Sequence, residues 1–468
     1  MNVNELIVLA VMWRSENMIQ QYKTDFESFL RKAAVKQQQQ ILVSWTEKVG
    51  AIDPLRFFAN GSSLEGNRHF WYSQKDDFCL VGAGPAILDM RTAEEWEHVI
   101  ESAVVHNLSA IAGTGPVAFS GMNFQQERER ELWQDFPDTQ YRIPAFTLTK
   151  TEKEYYVTIN QLVDSSNIES QITNILEQLE QLFSENDIPV LQTVLISKEE
   201  LESQAWKRLV KEATDTIKST ELDKVVLARA MKLEFEEKLQ AAGVLRNLLD
   251  TQKDSFIFAV ENGSACFLGA TPERLVRVES GTLHTSCVAG TAPRGKNETD
   301  DKVIGNALLQ DSKNREEHQY VVKMITDVIS KYSKDLLVPE GPQLLKLRQL
   351  QHLHTPVSAT LMPGASLQQI VQELHPTPAL GGLPKQEALD FIEKKEPLER
   401  GWYGAPVGWL DSYRNGDTAV AIRSGLLNGK QAVLFAGCGV VKDSDPDMEF
   451  EETAIKFRPM LEALEVSE

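Results

Sequence analysis

The residues best suited to chemistry lie in an acidic stretch near the C-terminus, DPDMEFEETAIK over 445–456. Asp445 can cap a helix, and Pro446 fits its first position, where the missing N–H is not needed. Such a helix carries Glu449, Glu452 and Lys456 at i, i+3 and i+7 on one face. A charged face is ordinarily a solvated one, but a second carboxylate shifts the balance. In KNREEH (313–318), Glu317 is followed by Val321, Met324, Ile325 and Val328 at i+4, i+7, i+8 and i+11. Helical periodicity therefore places Glu317 on the core-facing stripe. A lone buried carboxylate is costly, so it takes up a proton or meets a cation. With a second carboxylate from the acidic helix it makes a hard-oxygen site of the kind Mg2+ uses, with waters and a ligand oxygen completing the shell.

Weaker signals accompany these. LGATPERL (268–275) places Glu273 at a strand terminus, AIRSG (421–425) puts Arg423 within an apolar strand, and HPTPALGGLPK (375–385) is a Pro/Gly loop with little freedom. DKVVLAR (223–229) reads as a strand with Lys224, Val226 and Ala228 on one face and Val225, Leu227 and Arg229 on the other. Each has an ordinary reading: a structural ion pair for Arg423, a satisfied loop histidine for His375, a strand-edge lysine for Lys224.

The elements that must position these groups alternate between sheet and helix. FIFAVENGSACFLGA (256–270) turns at Asn262-Gly263 and LVRVESGTLHTSCVAG (275–290) at Ser280-Gly281, which predicts antiparallel hairpins rather than a βαβ series. A long helix is expected around 306–333, another near 385–394, and two strands meeting at Asn428-Gly429 before the acidic helix. Upstream, short apolar runs from Trp45 to Phe146 suggest strands with a helix near 93–107, and Ile168 to Phe183 has helical spacing. Ser197 with Glu200 reads as a capping box opening a helix that buries Trp206, Val210, Ala213 and Ile217. VGAGPA (81–86) lacks the full dinucleotide-binding pattern and reads as a structural turn. These blocks define an α+β chain, divided into a first segment, 1–199, and a second, 200–468.

Composition narrows the partners. A chain of 468 residues with 42% hydrophobic content is globular, and a formal net charge of −20 argues against nucleic acid and anionic membranes, which need a basic face. A local cationic cluster can still hold an anionic small molecule. Cys79, Cys266, Cys287 and Cys438 have no C-x-x-C or zinc-finger spacing and read as core thiols. The apolar run Leu6–Trp13 is too short to span a bilayer and lacks signal-peptide flanks, so a cytoplasmic location is expected. Residues 1–50, with the glutamine run at 37–40, suggest no function.

Taken in order, KVVLAR, GATPE, AGT, E-H, HPTP, IRSG and E-x-x-E-T-x-x-K resemble the chorismate-utilising enzymes: isochorismate, salicylate, anthranilate and aminodeoxychorismate synthases. The resemblance covers about 200–465. It implies a chorismate-binding fold, with antiparallel sheets in a sandwich-like core, helices outside, and the first segment completing the unit. It further implies Glu317 and Glu452 as Mg2+ ligands with Glu449 as outer partner, Lys224 as general base and Glu273 as general acid. Gly290, Arg423, Gly437 and Lys456 match positions that hold substrate carboxylates, and His352 and Ala379 match positions near the ring. Asn314 departs from relatives that carry an acidic residue there.

Chorismate is a dianion, and its C4 hydroxyl must leave as a nucleophile adds at C2, so the site needs an acid, a base and positive charge. Desolvation favours a neutral lysine base and a protonated glutamic acid, shifting the two in opposite senses. Exchanging one hydroxyl for another implies an equilibrium constant within about an order of magnitude of one. Among relatives, Ala289 stands where aminodeoxychorismate synthases often place a lysine, and ALGGLPK replaces the S-G-A-P-K loop of anthranilate synthases, so water is the expected nucleophile and no amidotransferase subunit is expected. The resemblance thus points to an isochorismate synthase, and the length of the first segment to the menaquinone-pathway type. Salicylate synthase and the siderophore-pathway isochorismate synthases are the runners-up, and a catalytically dead binding paralogue is disfavoured because every acid, base and ligand position is present. The oligomeric state is left open.

Overall fold

The structure, a computed structural model, describes residues 24–35, 40–125, 131–163, 166–346 and 350–466. The run Leu6–Trp13 and most of the glutamine run lie outside them.

The described strands form one hydrogen-bonded network, and the path through it explains how the site is closed. It starts at Lys224–Phe235 and runs through Gln431–Val440, Ser424–Asn428, Ala265–Thr271 and Phe256–Asn262. It then crosses into the first segment through His69–Ser73, Phe78–Met90, Thr139–Lys150 and Val117–Met122. From there it returns through Pro406–Asp411, Gly416–Val420, Arg274–Glu279 and Thr282–Pro293 to Leu350–Leu361. These ladders are all antiparallel, and right-handed strand twist accumulated over so many strands curls such a sheet. The first segment supplies the middle of that path, so the second segment's sheet is not continuous without it.

Both hairpins turn where the sequence places them, with Gly263 and Gly281 at positive φ. Helix Ser203–Ser219 buries Trp206, Val210, Ala213 and Ile217 as expected. Its start is different. Ser197 and Glu200 lie in strand Leu195–Glu200, paired with Glu234 and Met231, and no side chain caps the helix, which Glu202 enters in the left-handed region at φ 49°. A free strand edge outweighed a local capping pattern. The helix expected at 306–333 is two, Glu298–Gln310 and Ser312–Ile329, because Asp311 caps the second with its side chain accepting from Asn314 N–H at 2.7 Å. The helix expected at 93–107 ends at Ser102, where Val104–His106 begins a short strand beside Ile41–Val49. Helices Ile168–Leu182 and Lys385–Lys395 form as read.

Candidate active site

Lys224 opens its strand, and its side chain lies on the face shared with Val226 and Ala228. The neighbouring strand sets Gly439 opposite Val226 and Gly437 opposite Ala228, so the surface beside Lys224 is cleared of side chains. The clearance is required. A Cβ at Gly439 would sit 2.7 Å from Lys224 Cε, and one at Gly437 would sit 3.2 Å from the Tyr403 hydroxyl.

Arg423 reaches the same face from an unexpected backbone. It lies in the link between Gly416–Val420 and Ser424–Asn428 rather than within a strand, at φ 52°, with Ile422 N–H folded back onto Val420 O at 2.8 Å. The Arg423 carbonyl accepts from Ala270 N–H at 3.0 Å, which fixes this kink against the strand leading to Glu273. Glu273 is in turn held by its own carbonyl, which accepts from Val420 N–H at 3.0 Å. Burial raises the Glu273 pKa against the opposing pull of Arg423 and Lys224. Burial also lowers that of Arg423, opposed by Tyr403, Glu273 and Glu452.

The acidic helix forms over Pro446–Ala463, with Asp445 accepting from Asp447 and Met448 N–H at 3.0 Å each. Lys456 Nζ bridges Glu452 at 2.6 Å and the Gly437 carbonyl at 2.8 Å, locking the helix onto the glycine-rich strand. Glu449 meets the Cys438 thiol instead of Glu452. Across the cleft, Glu317 pairs with Lys224 at 3.3 Å. Glu317 is not on the core stripe: its side chain is 39% exposed, and the buried position beside it belongs to His318. His318 Nε2 meets Thr355 Oγ1 at 2.7 Å and Nδ1 faces the Ala289 carbonyl at 3.3 Å, so it pins the helix and leaves Glu317 on the rim.

His352 sits beside the Gly290 backbone with Thr291 Oγ1 2.9 Å from Nδ1, and burial lowers its pKa with help from the charges of Arg423 and Lys456. Asn314 packs against Gly290, its Oδ1 3.1 Å from where a Cβ would stand. Lys224, Glu273, Gly290, Glu317, His352, Arg423, Gly437, Glu452 and Lys456 are thus linked by contact or by mutual electrostatic influence. Ala379 is exposed; its loop is tethered at Gly381, whose carbonyl accepts from Val226 N–H at 2.9 Å. His375 is the satisfied loop histidine, Nε2 3.4 Å from the Phe124 carbonyl. The sequence reading missed Gly439 and Tyr403; the alternating glycines of GCG were the signal for the first.

Among the described residues no group of three or more His, Cys, Asp or Glu side chains is placed to hold a metal ion. The pair Glu317 and Glu452 still fits Mg2+ in donor chemistry: both are accessible carboxylates, and each is neutralised by a single lysine that a harder cation can displace.

The family profile described as chorismate binding enzyme matches residues 28–465, and the chain belongs to that family. Isochorismate synthase MenF of Bacillus subtilis is 40% identical over 443 residues, covering 91% of this chain and 93% of that one. The salicylate biosynthesis isochorismate synthase of Pseudomonas aeruginosa is 34% identical over 435 residues, covering 91% and 90%. The solved structure of MenF, the menaquinone-specific isochorismate synthase of Escherichia coli, superposes with a TM-score of 0.79 at 26% identity, over 94% of this chain and 99% of that one.

Proposed function

We infer that the chain is an isochorismate synthase, converting chorismate to isochorismate by adding water at C2 as the C4 hydroxyl departs. The observation that carries this reading is the convergence of a lysine, a pKa-raised glutamic acid and two further cations on one surface cleared by Gly437 and Gly439. Lys224 takes the proton from the attacking water, and Glu273, whose pKa burial raises, gives one to the leaving hydroxyl. Arg423 and Lys456 hold substrate carboxylates, with the Gly290 and Gly437 backbones setting how closely these approach. Tyr403 lines the same surface beside Gly437. His352 and the Ala379 loop border the ring. Glu317 and Glu452 would hold Mg2+, which would supply positive charge against a substrate carboxylate; Glu449 supports the helix that carries Glu452 through Cys438.

The menaquinone pathway is the favoured context, since MenF of B. subtilis is 40% identical and the salicylate-pathway relative 34%. Length does not separate the two, because both relatives align over nearly their whole chains. No described helix is long and apolar enough to cross a membrane. Water as nucleophile leaves no role for an ammonia-supplying partner.

The test is incubation with chorismate and Mg2+ in 18O-labelled water. The C2 hydroxyl should carry the label, isochorismate and chorismate should approach comparable amounts, and ammonium should not yield a 2-amino product. Pyruvate released in step with chorismate loss would make this a salicylate synthase; an aminated ring would overturn the nucleophile.

A further inference from the structure

The strand that carries Lys224 has an outer edge that other strands cover at its two ends but not between them. Gly382–Leu383 pairs with Val225 and Lys224, Gly381 O takes the Val226 N–H, and a backbone partner resumes only at Ala230, whose carbonyl accepts from Leu201 N–H at 3.1 Å ahead of the pairing with Leu195–Glu200. The groups between are met by two side chains. Glu396 Oε2 accepts from Ala228 N–H at 2.8 Å, and Arg400 Nη2 donates to Val226 O at 2.7 Å. The two hold each other, Arg400 Nε to Glu396 Oε1 at 2.6 Å and Nη2 to Oε2 at 2.8 Å. Arg400 Nη1 also donates at 3.2 Å to the carbonyl of Leu380, the residue after Ala379. Its guanidinium lies 4.2 Å from the centroid of the Phe124 ring.

Both residues are almost fully buried, at 3% and 5% exposure. A buried ion pair is a poor source of stability compared with apolar side chains of the same volume. What apolar side chains cannot do is meet a strand edge. A carboxylate accepting the amide and a planar fork donating to two carbonyls reproduce the pattern of the missing strand and extend it to the loop.

We propose that Glu396 and Arg400 are positioning residues for the reaction, a side-chain substitute for a strand that holds the Lys224 strand and the Ala379 loop in fixed relation. This rests on the reading of Lys224 as the base. The cations that bind substrate, Arg423 and Lys456, stand on other elements, so loosening the clamp displaces the base from C2 while leaving the carboxylate contacts in place. Small misplacements of a reacting group are costly in turnover rather than in binding.

Arg400→Lys is the informative variant. It keeps a positive charge beside Glu396, but an ammonium is a single point and cannot span groups the guanidinium meets through three nitrogens. The expected result is a folded protein whose kcat falls at least tenfold with KM within about threefold, the pH profile lowered without displacement of either limb. Should its circular dichroism show loss of fold, Glu396→Gln, which still accepts from Ala228, carries the same readout with a kcat loss of at least about threefold. A folded variant with wild-type kcat, or one whose pH limbs move, would overturn the proposal. Lys224→Ala, assayed alongside, separates the two readings: turnover surviving that change refutes the base, whereas an inactive Lys224→Ala beside a fully active Arg400→Lys refutes only the clamp.

Discussion

At Arg423 the backbone and the side chain both bear a cost. The left-handed region costs an L-residue about 1–2 kcal/mol, and burial disfavours the guanidinium charge. Arg423→Gly removes both, against about 0.5–1 kcal/mol of added chain entropy. It should melt at or above the wild-type temperature while KM for chorismate rises about thirtyfold, the loss of one charge-assisted contact of about 2 kcal/mol. Arg423→Ala keeps the strained φ and should share only the part of the gain that comes from removing the buried charge, melting below the glycine variant; a glycine variant with unchanged KM would remove Arg423 from the substrate. Glu273 gives a pH prediction. Its folded pKa is raised, so between the unfolded and folded values the native state binds more protons, and stability falls as pH rises through that window. Glu273→Gln should therefore raise the melting temperature at neutral pH, lose that advantage below about pH 4, and lower turnover at least about a hundredfold. Equal melting curves at neutral pH would contradict it. The charged types at these positions were legible in the sequence because the proposed reaction needs an acid, a base and anion-binding cations. The setting of Arg423 was not, because Ala421, Ile422 and Leu426 read as one apolar run and only the contact from Ala270 makes the kink. Tyr403 was missed because an aromatic among RGWYG reads as core, and it is indeed buried.

The helix Ser312–Ile329 shows how an element leaves a carboxylate accessible. Periodicity found its buried stripe but assigned Glu317 to it, because a one-residue rotation is invisible when a histidine can be core. His318 takes that place through Thr355, and Glu317 is left accessible opposite Lys224. Removing metal with EDTA should abolish turnover and Mg2+ should restore it, and Glu317→Gln should raise the Mg2+ concentration needed without changing the melt of the metal-free protein. Full activity in metal-free buffer would sink the assignment. His318→Ala orphans a buried Thr355 hydroxyl and should cost about 1–3 kcal/mol in denaturant unfolding. The hairpins were legible because their turns need glycine at positive φ, whereas Leu195–Glu200 was taken for a helix start because an edge pairing is decided by a partner far along the chain.

Over the whole molecule, buried histidines act in one direction. His69, His318, His352, His354 and His375 all have pKa values lowered by burial, His375 to about 3. Each takes a proton more readily when unfolded, so the stability they contribute is complete above about pH 6.5 and declines on acidification at up to about 1.4 kcal/mol per pH unit for each group still neutral in the fold, opposite in sense to Glu273. Melting temperature followed from pH 7 to 4 should fall steadily; a flat profile would refute the sum. The path of the sheet has a different consequence. His69–Ser73 against Phe256–Asn262, and Val117–Met122 against Pro406–Asp411, are seams sewn by backbone hydrogen bonds between stretches far apart in sequence. The covalent link between the halves passes through Glu185, Asn186 and Asp187, which are exposed. Severing it there should leave one particle, and residues 1–186 and 187–468 expressed as separate chains should co-purify and turn over chorismate. The same seams make the two stretches a matched pair, so a chimera that takes its first half from a distant relative should fail unless its strand partners are exchanged with it.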